Sequence, residues 1–160
     1  VRKDEEKKRE QQEVFERHMA LAREFDLPIV IHSRGAWRDC LDMAVRAGNQ
    51  KAVFHWYSGP VEVLKDVLAS GFFVSFTPAL AYSPEHRQAA VLAPLEKVLI
   101  ETDTPVAYGQ GAERFTSTPQ DVWRTLRLLS ELKGVAEDQL LEMVNANARQ
   151  FFNIPEHKST

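Results

Sequence analysis

Apolar positions recur along the chain in two alternating rhythms. Over residues 4–25, Val14, Phe15, His18, Met19, Ala22 and Phe25 return at steps of three and four, which predicts a helix with one apolar face. Opposite charges four apart, Asp4 with Lys8 and Glu5 with Arg9, support its exposed first turns, and Pro28 marks its end. Short uninterrupted apolar runs follow: Ile29–Ile31, Ala52–Phe54, Phe72–Val74 passing into Ser75 and Phe76, and Val98–Ile100. Their brevity and their β-branched and aromatic content predict parallel strands covered on both faces. Helical stretches separate them at 36–47, 60–70 and 84–93. Pro60 and the Ser83-Pro84 pair fit as helix starts, Gly48 and Gly71 as stops. A loop rich in Gly, Ser and Thr is expected over 104–117, helices over 119–133, 137–143 and 145–152, and a frayed tail over 155–160.

The four strand starts lie 20 to 26 residues apart, about one βα unit each. Four such units make either a small open sheet or half of an eight-stranded barrel. A closed barrel of this kind takes ~250 residues, more than the 160 here. A lone four-stranded parallel sheet leaves two open edges that natural proteins normally cover. The expected fold is therefore α/β, a partial (β/α)8 TIM-like barrel holding about the last four βα units, with residues 1–160 as a single domain. The chain opens at Val1 and runs directly into a helix, and the expectation is that something upstream has been removed.

Composition narrows the function classes. The chain is 44% hydrophobic and 27% charged, an ordinary globular mixture, and its formal net charge of -3 gives no overall attraction to a phosphate polymer. Nucleic-acid binding would have to be local. The lone Cys40 forms no internal disulfide and fits no Cys-rich zinc pattern, so a cytoplasmic, reducing location is expected. No apolar run reaches the ~18 residues of a membrane helix, and from the charged stretch Val1–Glu10 no signal peptide's apolar segment is expected.

In parallel βα proteins the chemistry collects at the carboxyl ends of the strands. Three of the four predicted strands end in a metal-ligand type: His32, His55 and Asp103. A lone strand-end histidine is most simply a hydrogen-bonded structural residue. Three ligand types at equivalent points of successive units point instead to one divalent ion, with Mg, Mn or Zn as candidates. Glu101 and Asp103 lie two apart and share a strand face, so one can ligate while the other orients water; both are candidate catalytic residues, Asp103 as a general base. Arg34 is either a salt-bridged structural residue or a planar fork for a phosphate. Ser58 and Gly59 precede the helix start at Pro60, where amides favour anions. Trp56 reads as packing, and Tyr57 either packs or stacks on a nucleobase at the site mouth. His18, His86, His157 and Cys40 read as ordinary structural positions.

The order LPIVIHSR, AVFHWYSG, GFFVSF and VLIETDTP, closing on NANARQFFNI, resembles the TatD family of metal-dependent deoxyribonucleases from Gln11 to Ile154. The resemblance implies a TIM-like barrel, metal ligation by His32, His55 and Asp103 with Glu101 assisting, and hydrolysis of a phosphodiester, typically in DNA, with metal-activated water. It also implies a His-x-His pair on a first strand and a Gly-Glu segment on a third. Neither occurs in the 160 residues, so this chain is expected to bind metal weakly and to be impaired as a nuclease. Phe115-Thr116-Ser117-Thr118-Pro119 stands where the family more often carries an Asn-x-Pro turn. Two alternatives accompany this reading: an amidohydrolase-like or aminoacyl-ester hydrolase on the same scaffold, and a non-catalytic half-barrel that self-associates or docks on a partner through its open sheet edges.

Overall fold

The computed structural model describes residues 2–155, with side chains from Asp4 onward; His157 and the rest of the expected tail, 156–160, lie outside the described residues. Four parallel strands, β1 (Ile29–Ile31), β2 (Ala52–Phe54), β3 (Phe73–Phe76) and β4 (Val98–Ile100), form one sheet in sequential order. Helices α1 (Arg2–Glu24), α2 (Trp37–Arg46), α3 (Val61–Ala69) and α4 (Pro84–Leu92) alternate with them, and α5 (Val122–Lys133) and α6 (Glu137–Phe152) close the chain. The α/β order and strand limits follow the periodicity closely. Gly48 and Gly71 stop their helices with φ of 72° and 81°, a left-handed turn that glycine adopts without steric cost. Ser83 caps α4 by accepting from the amide of His86.

Strand parity sorts the side chains into two faces. Ile31, Phe54, Val74, Phe76 and Val98 turn one way and join the main core with helix residues such as Leu41, Leu64, Leu126 and Leu129. Val53, Phe73 and Leu99 turn the other way, where Phe151 of α6 covers them. Val30 shares that second face and is 56% exposed. Continuing the same parity past the strand ends places His32, His55, Ser75 and Glu101 above this apolar layer. A groove of about 550 Å³ runs below them, lined by Val30, Val53, Leu99, Leu126, Val144 and Phe152 among others.

Three expectations need correction. The segment 104–117 is not simply a loop: Ala107–Tyr108 (β5) pairs antiparallel with Phe115–Thr116 (β6). Ser117 pins that hairpin, its amide donating to Val106 O and its hydroxyl accepting from Val106 N, contacts that no local apolar pattern announces. The helices expected over 137–143 and 145–152 are one, α6, because Leu140, Val144, Asn147 and Phe151 keep a continuous buried stripe across residue 144. The apolar face of α1 is narrower than its periodicity suggests. Met19 and Ala22 are buried, whereas Val14 and Phe25 are more than half exposed.

Candidate metal centre

His32 follows the last residue of β1 and His55 the last residue of β2, so both imidazoles emerge at the carboxyl end of the sheet on the same face. Their ring nitrogens meet: His32 Nδ1 lies 3.0 Å from His55 Nε2. The other nitrogen of His55, Nδ1, lies 3.0 and 3.1 Å from the two oxygens of Glu101. A carboxylate only accepts, so Nδ1 carries the proton, and in the neutral ring Nε2 turns its lone pair towards His32. That lone pair is available to a cation.

Glu101 is held from three directions. Besides His55, its Oε1 accepts from the Trp56 amide at 3.1 Å and from the Ser75 hydroxyl in a short contact. Burial alone pushes its carboxyl upward, but the hydrogen bonds from His55 and Ser75, the attraction of His55 and the Trp56 amide outweigh it and leave Glu101 below the usual carboxylate range. The partner moves the opposite way: the hydrogen bond to Glu101 raises His55 despite partial burial. Trp56 has φ of 47° and Asp103 φ of 45°, a left-handed conformation that costs energy for residues with a Cβ. At Trp56 the strained turn carries an amide whose two acceptors are Ser75 Oγ and Glu101.

His55, Glu101 and Asp103 each bring a ligand atom within 4.8 Å of the others. His32, Arg34, Trp37, Trp56, Ser58 and Val106 complete a cavity of about 240 Å³ with His55 and Asp103. The ligand atoms within mutual reach are those of His55, Glu101 and Asp103, and His32 joins them only through its 3.0 Å approach to His55 Nε2; imidazole and carboxylate donors of this kind suit zinc or a similar divalent ion. Two nitrogens bound to one zinc at tetrahedral angles sit about 3.3 Å apart, close to the His32–His55 spacing. The donor set fits one ion. Glu101 spends Oε1 on three donors, which makes it the anchor of His55 more readily than a ligand.

The remaining site candidates divide. Arg34 lines the cavity with its guanidinium 5.8 Å from the Trp56 ring centre, and among the described residues it has no ion pair. Ser58 also lines the cavity. Gly59 serves packing, since a Cβ there would lie 2.6 Å from the Trp37 ring. Tyr57, expected as a candidate substrate contact, is corrected: it is 0% exposed, and its hydroxyl donates to Pro60 O. Strand parity alone would put Tyr57 on the face of His55, but the left-handed turn at Trp56, φ 47°, breaks the alternation and Tyr57 enters the core, leaving Trp56 as the partly exposed aromatic.

Two residues were overlooked in the sequence. Ser75 ends no strand and is no ligand type, yet it ties β3 to Glu101. His86 is fully buried in α4; its Nδ1 donates to Tyr57 O at 2.6 Å and its Nε2 accepts from Thr77 N at 3.0 Å. It thereby joins the turns leaving β2 and β3. The sequence marks His86 as an ordinary structural position in a helix's first turn; its burial and its two partners, Tyr57 and Thr77, come from distant segments.

The family model described as TatD related DNase matches residues 1–153. The chain belongs to the TatD-related DNase family. It is 30% identical over 150 residues to an uncharacterized metal-dependent hydrolase of Methanocaldococcus jannaschii, covering 94% of this chain and 58% of that protein. It is 26% identical to Deoxyribonuclease TATDN3 of Homo sapiens over 92% of this chain and 53% of that protein. Among solved structures, the TatD homolog YJJV of Escherichia coli superposes with a TM-score of 0.79 at 23% identity, covering 86% of this chain and 54% of the other. A TatD family hydrolase of Entamoeba histolytica gives 0.72 at 18%, with coverages of 84% and 54%. The chain thus spans a little over half the length of these TatD relatives. Its fold is theirs over that span.

Proposed function

We propose that this chain forms the carboxyl-terminal half of a (β/α)8 barrel that hydrolyses phosphodiesters, DNA foremost, in the cytoplasm with one or more divalent ions. The observation that carries the reading is the 3.0 Å approach of His32 and His55 at successive strand ends, with Asp103 in the same cavity. The family relatives named deoxyribonuclease and metal-dependent hydrolase support it. Among the described residues no helix is long and apolar enough to cross a membrane.

In this reading His32, His55 and Asp103 hold the ion. When bound, it supplies a Lewis acid for a phosphoryl oxygen and lowers the pKa of water. Glu101 fixes the tautomer of His55, and Ser75 together with the Trp56 amide fixes Glu101. Asp103 accepts a proton from the attacking water. Arg34 at the cavity rim presents a cationic fork to a phosphate, which favours a phosphodiester over a neutral amide or aminoacyl ester. The His-x-His pair and Gly-Glu segment are absent from the 160 residues, so the chain alone holds the ion weakly and turns over slowly.

The test is hydrolysis of a single-stranded oligonucleotide with added Mg²⁺, Mn²⁺ or Zn²⁺, comparing the chain with His55→Ala. A slow, metal-dependent rate that His55→Ala abolishes is expected. Equal, metal-independent rates would remove the assignment from this chain. Parallel assays on amide and aminoacyl-ester substrates separate the amidohydrolase-like alternative. The apolar groove beneath the site favours a further reading of the isolated chain, self-association through its uncovered inner face.

A further inference from the structure

The cavity beside the metal centre contains more than metal chemistry requires. Two indoles, Trp37 and Trp56, and the side chain of Val106 wall it together with Arg34, while His32, His55 and Asp103 supply the donors. Water activation at an ion calls for none of these apolar walls. Both indoles are also fixed in place. Trp56 packs on Tyr108 at 5.3 Å between ring centres, and its amide is held by Glu101 and Ser75. Trp37 packs on Tyr57 at 4.9 Å, over a Gly59 backbone that leaves no room for a Cβ. Tyr57 and Tyr108 are buried, at 0% and 1% exposure, so they back the indoles without reaching solvent themselves.

Rigid aromatic surfaces beside a cationic guanidinium stack well on planar heteroaromatic rings, and every nucleobase offers such a face. The volume limits how many. At about 240 Å³ the cavity is smaller than the ~300–1,000 Å³ of pockets that enclose drug-sized ligands. Shared with the metal donors, that space is on the scale of one base rather than of a stacked pair. We propose that Trp56, Trp37 and Arg34 form a subsite for a single unpaired nucleobase, the base of the nucleotide whose phosphate lies at the His32–His55–Asp103 centre. Substrate then enters one splayed nucleotide at a time, with the base gripped before its phosphate is aligned. This subsite rests on the phosphodiester reading above and adds to it a recognition element that the metal donors do not provide.

The experiment is calorimetric titration of the 160-residue chain in Mn²⁺ with thymidine 5′-monophosphate, deoxyribose 5-phosphate and inorganic phosphate. The nucleotide is expected to bind about ten-fold more tightly than the sugar phosphate, the range of one base–aromatic stack. Trp56→Leu should erase that ratio and Trp56→Phe should keep most of it. Quenching of indole fluorescence by the nucleotide in a Trp123→Phe background gives a second readout that needs no folded Trp56→Leu variant. Equal affinity for nucleotide and sugar phosphate, or no quenching, overturns the subsite while leaving the metal centre standing. If none of the three phosphates binds, or binding is indifferent to His55→Ala, the phosphodiester reading falls and the subsite with it.

Discussion

At the scale of single residues, the site depends on side chains that touch no ion. Ser75 Oγ donates to Glu101 and accepts from the Trp56 amide, so its hydroxyl sets the carboxylate that sets His55. Ser75→Ala is expected to lower divalent-ion affinity by about ten-fold or more, the usual cost of removing an outer hydrogen-bond partner, which calorimetric titration of Mn²⁺ or Zn²⁺ would read. His86 gives a prediction in pH. Burial pushes it down to about 4, against an ordinary value of 6.5, and its hydrogen bond to Tyr57 O only partly resists. As pH falls below 6.5 the unfolded chain takes up this proton before the folded one does. Stability is therefore full above 6.5 and declines towards pH 4, by up to about 3 kcal/mol from this group. Urea midpoints across that range should fall more steeply for the wild type than for His86→Asn. Equal slopes would mean that His86 is already charged in the folded protein.

At the scale of elements, two contacts decide how helices meet the sheet. Gly59 lets the Trp37 indole of α2 lie against the turn before α3, and its notional Cβ falls 2.6 Å from that ring. Gly59→Ala should destabilise the fold by about 1–3 kcal/mol through overpacking, with partial relief in the Gly59→Ala/Trp37→Ala double variant, measured by chemical denaturation. Asn147 anchors α6 by donating to Leu95 O at 2.7 Å and Val98 O at 2.8 Å, at the entry to β4. Replacing it with Ala removes both bonds, leaving Leu95 O with the Val98 amide as donor, and should cost about 1–3 kcal/mol. The cost belongs to α6, so hydrogen exchange should rise there before it rises in β1 and β2.

At the scale of the molecule, the inner face of the sheet is the feature that needs a partner. Phe151 covers Val53, Phe73 and Leu99, but Val30 at the β1 edge remains 56% exposed, and the groove of about 550 Å³ stays open. An uncovered strand edge next to exposed apolar side chains favours association. Size-exclusion chromatography should show an apparent mass that grows with concentration, and Val30→Lys should shift it towards the monomer without lowering the melting temperature. A compact monomer at every concentration would count against both the self-association and the half-barrel reading.

The strand ends and the identity of the ligand types were fixed by local pattern: three-residue apolar runs, each followed by His, His or Glu-x-Asp, read directly from the chain. Parity along a strand is a local property too, and it carried His32, His55, Glu101 and Asp103 to one rim. What the chain alone did not disclose depends on contacts across many residues. Ser75 meets Glu101 from 26 positions away, and His86 meets Tyr57 from 29. Periodicity reports which way a side chain points, whereas burial and hydrogen-bond partnership depend on which other element arrives there. That is why the donors were legible in sequence, and the network that orients them became visible only in the folded chain.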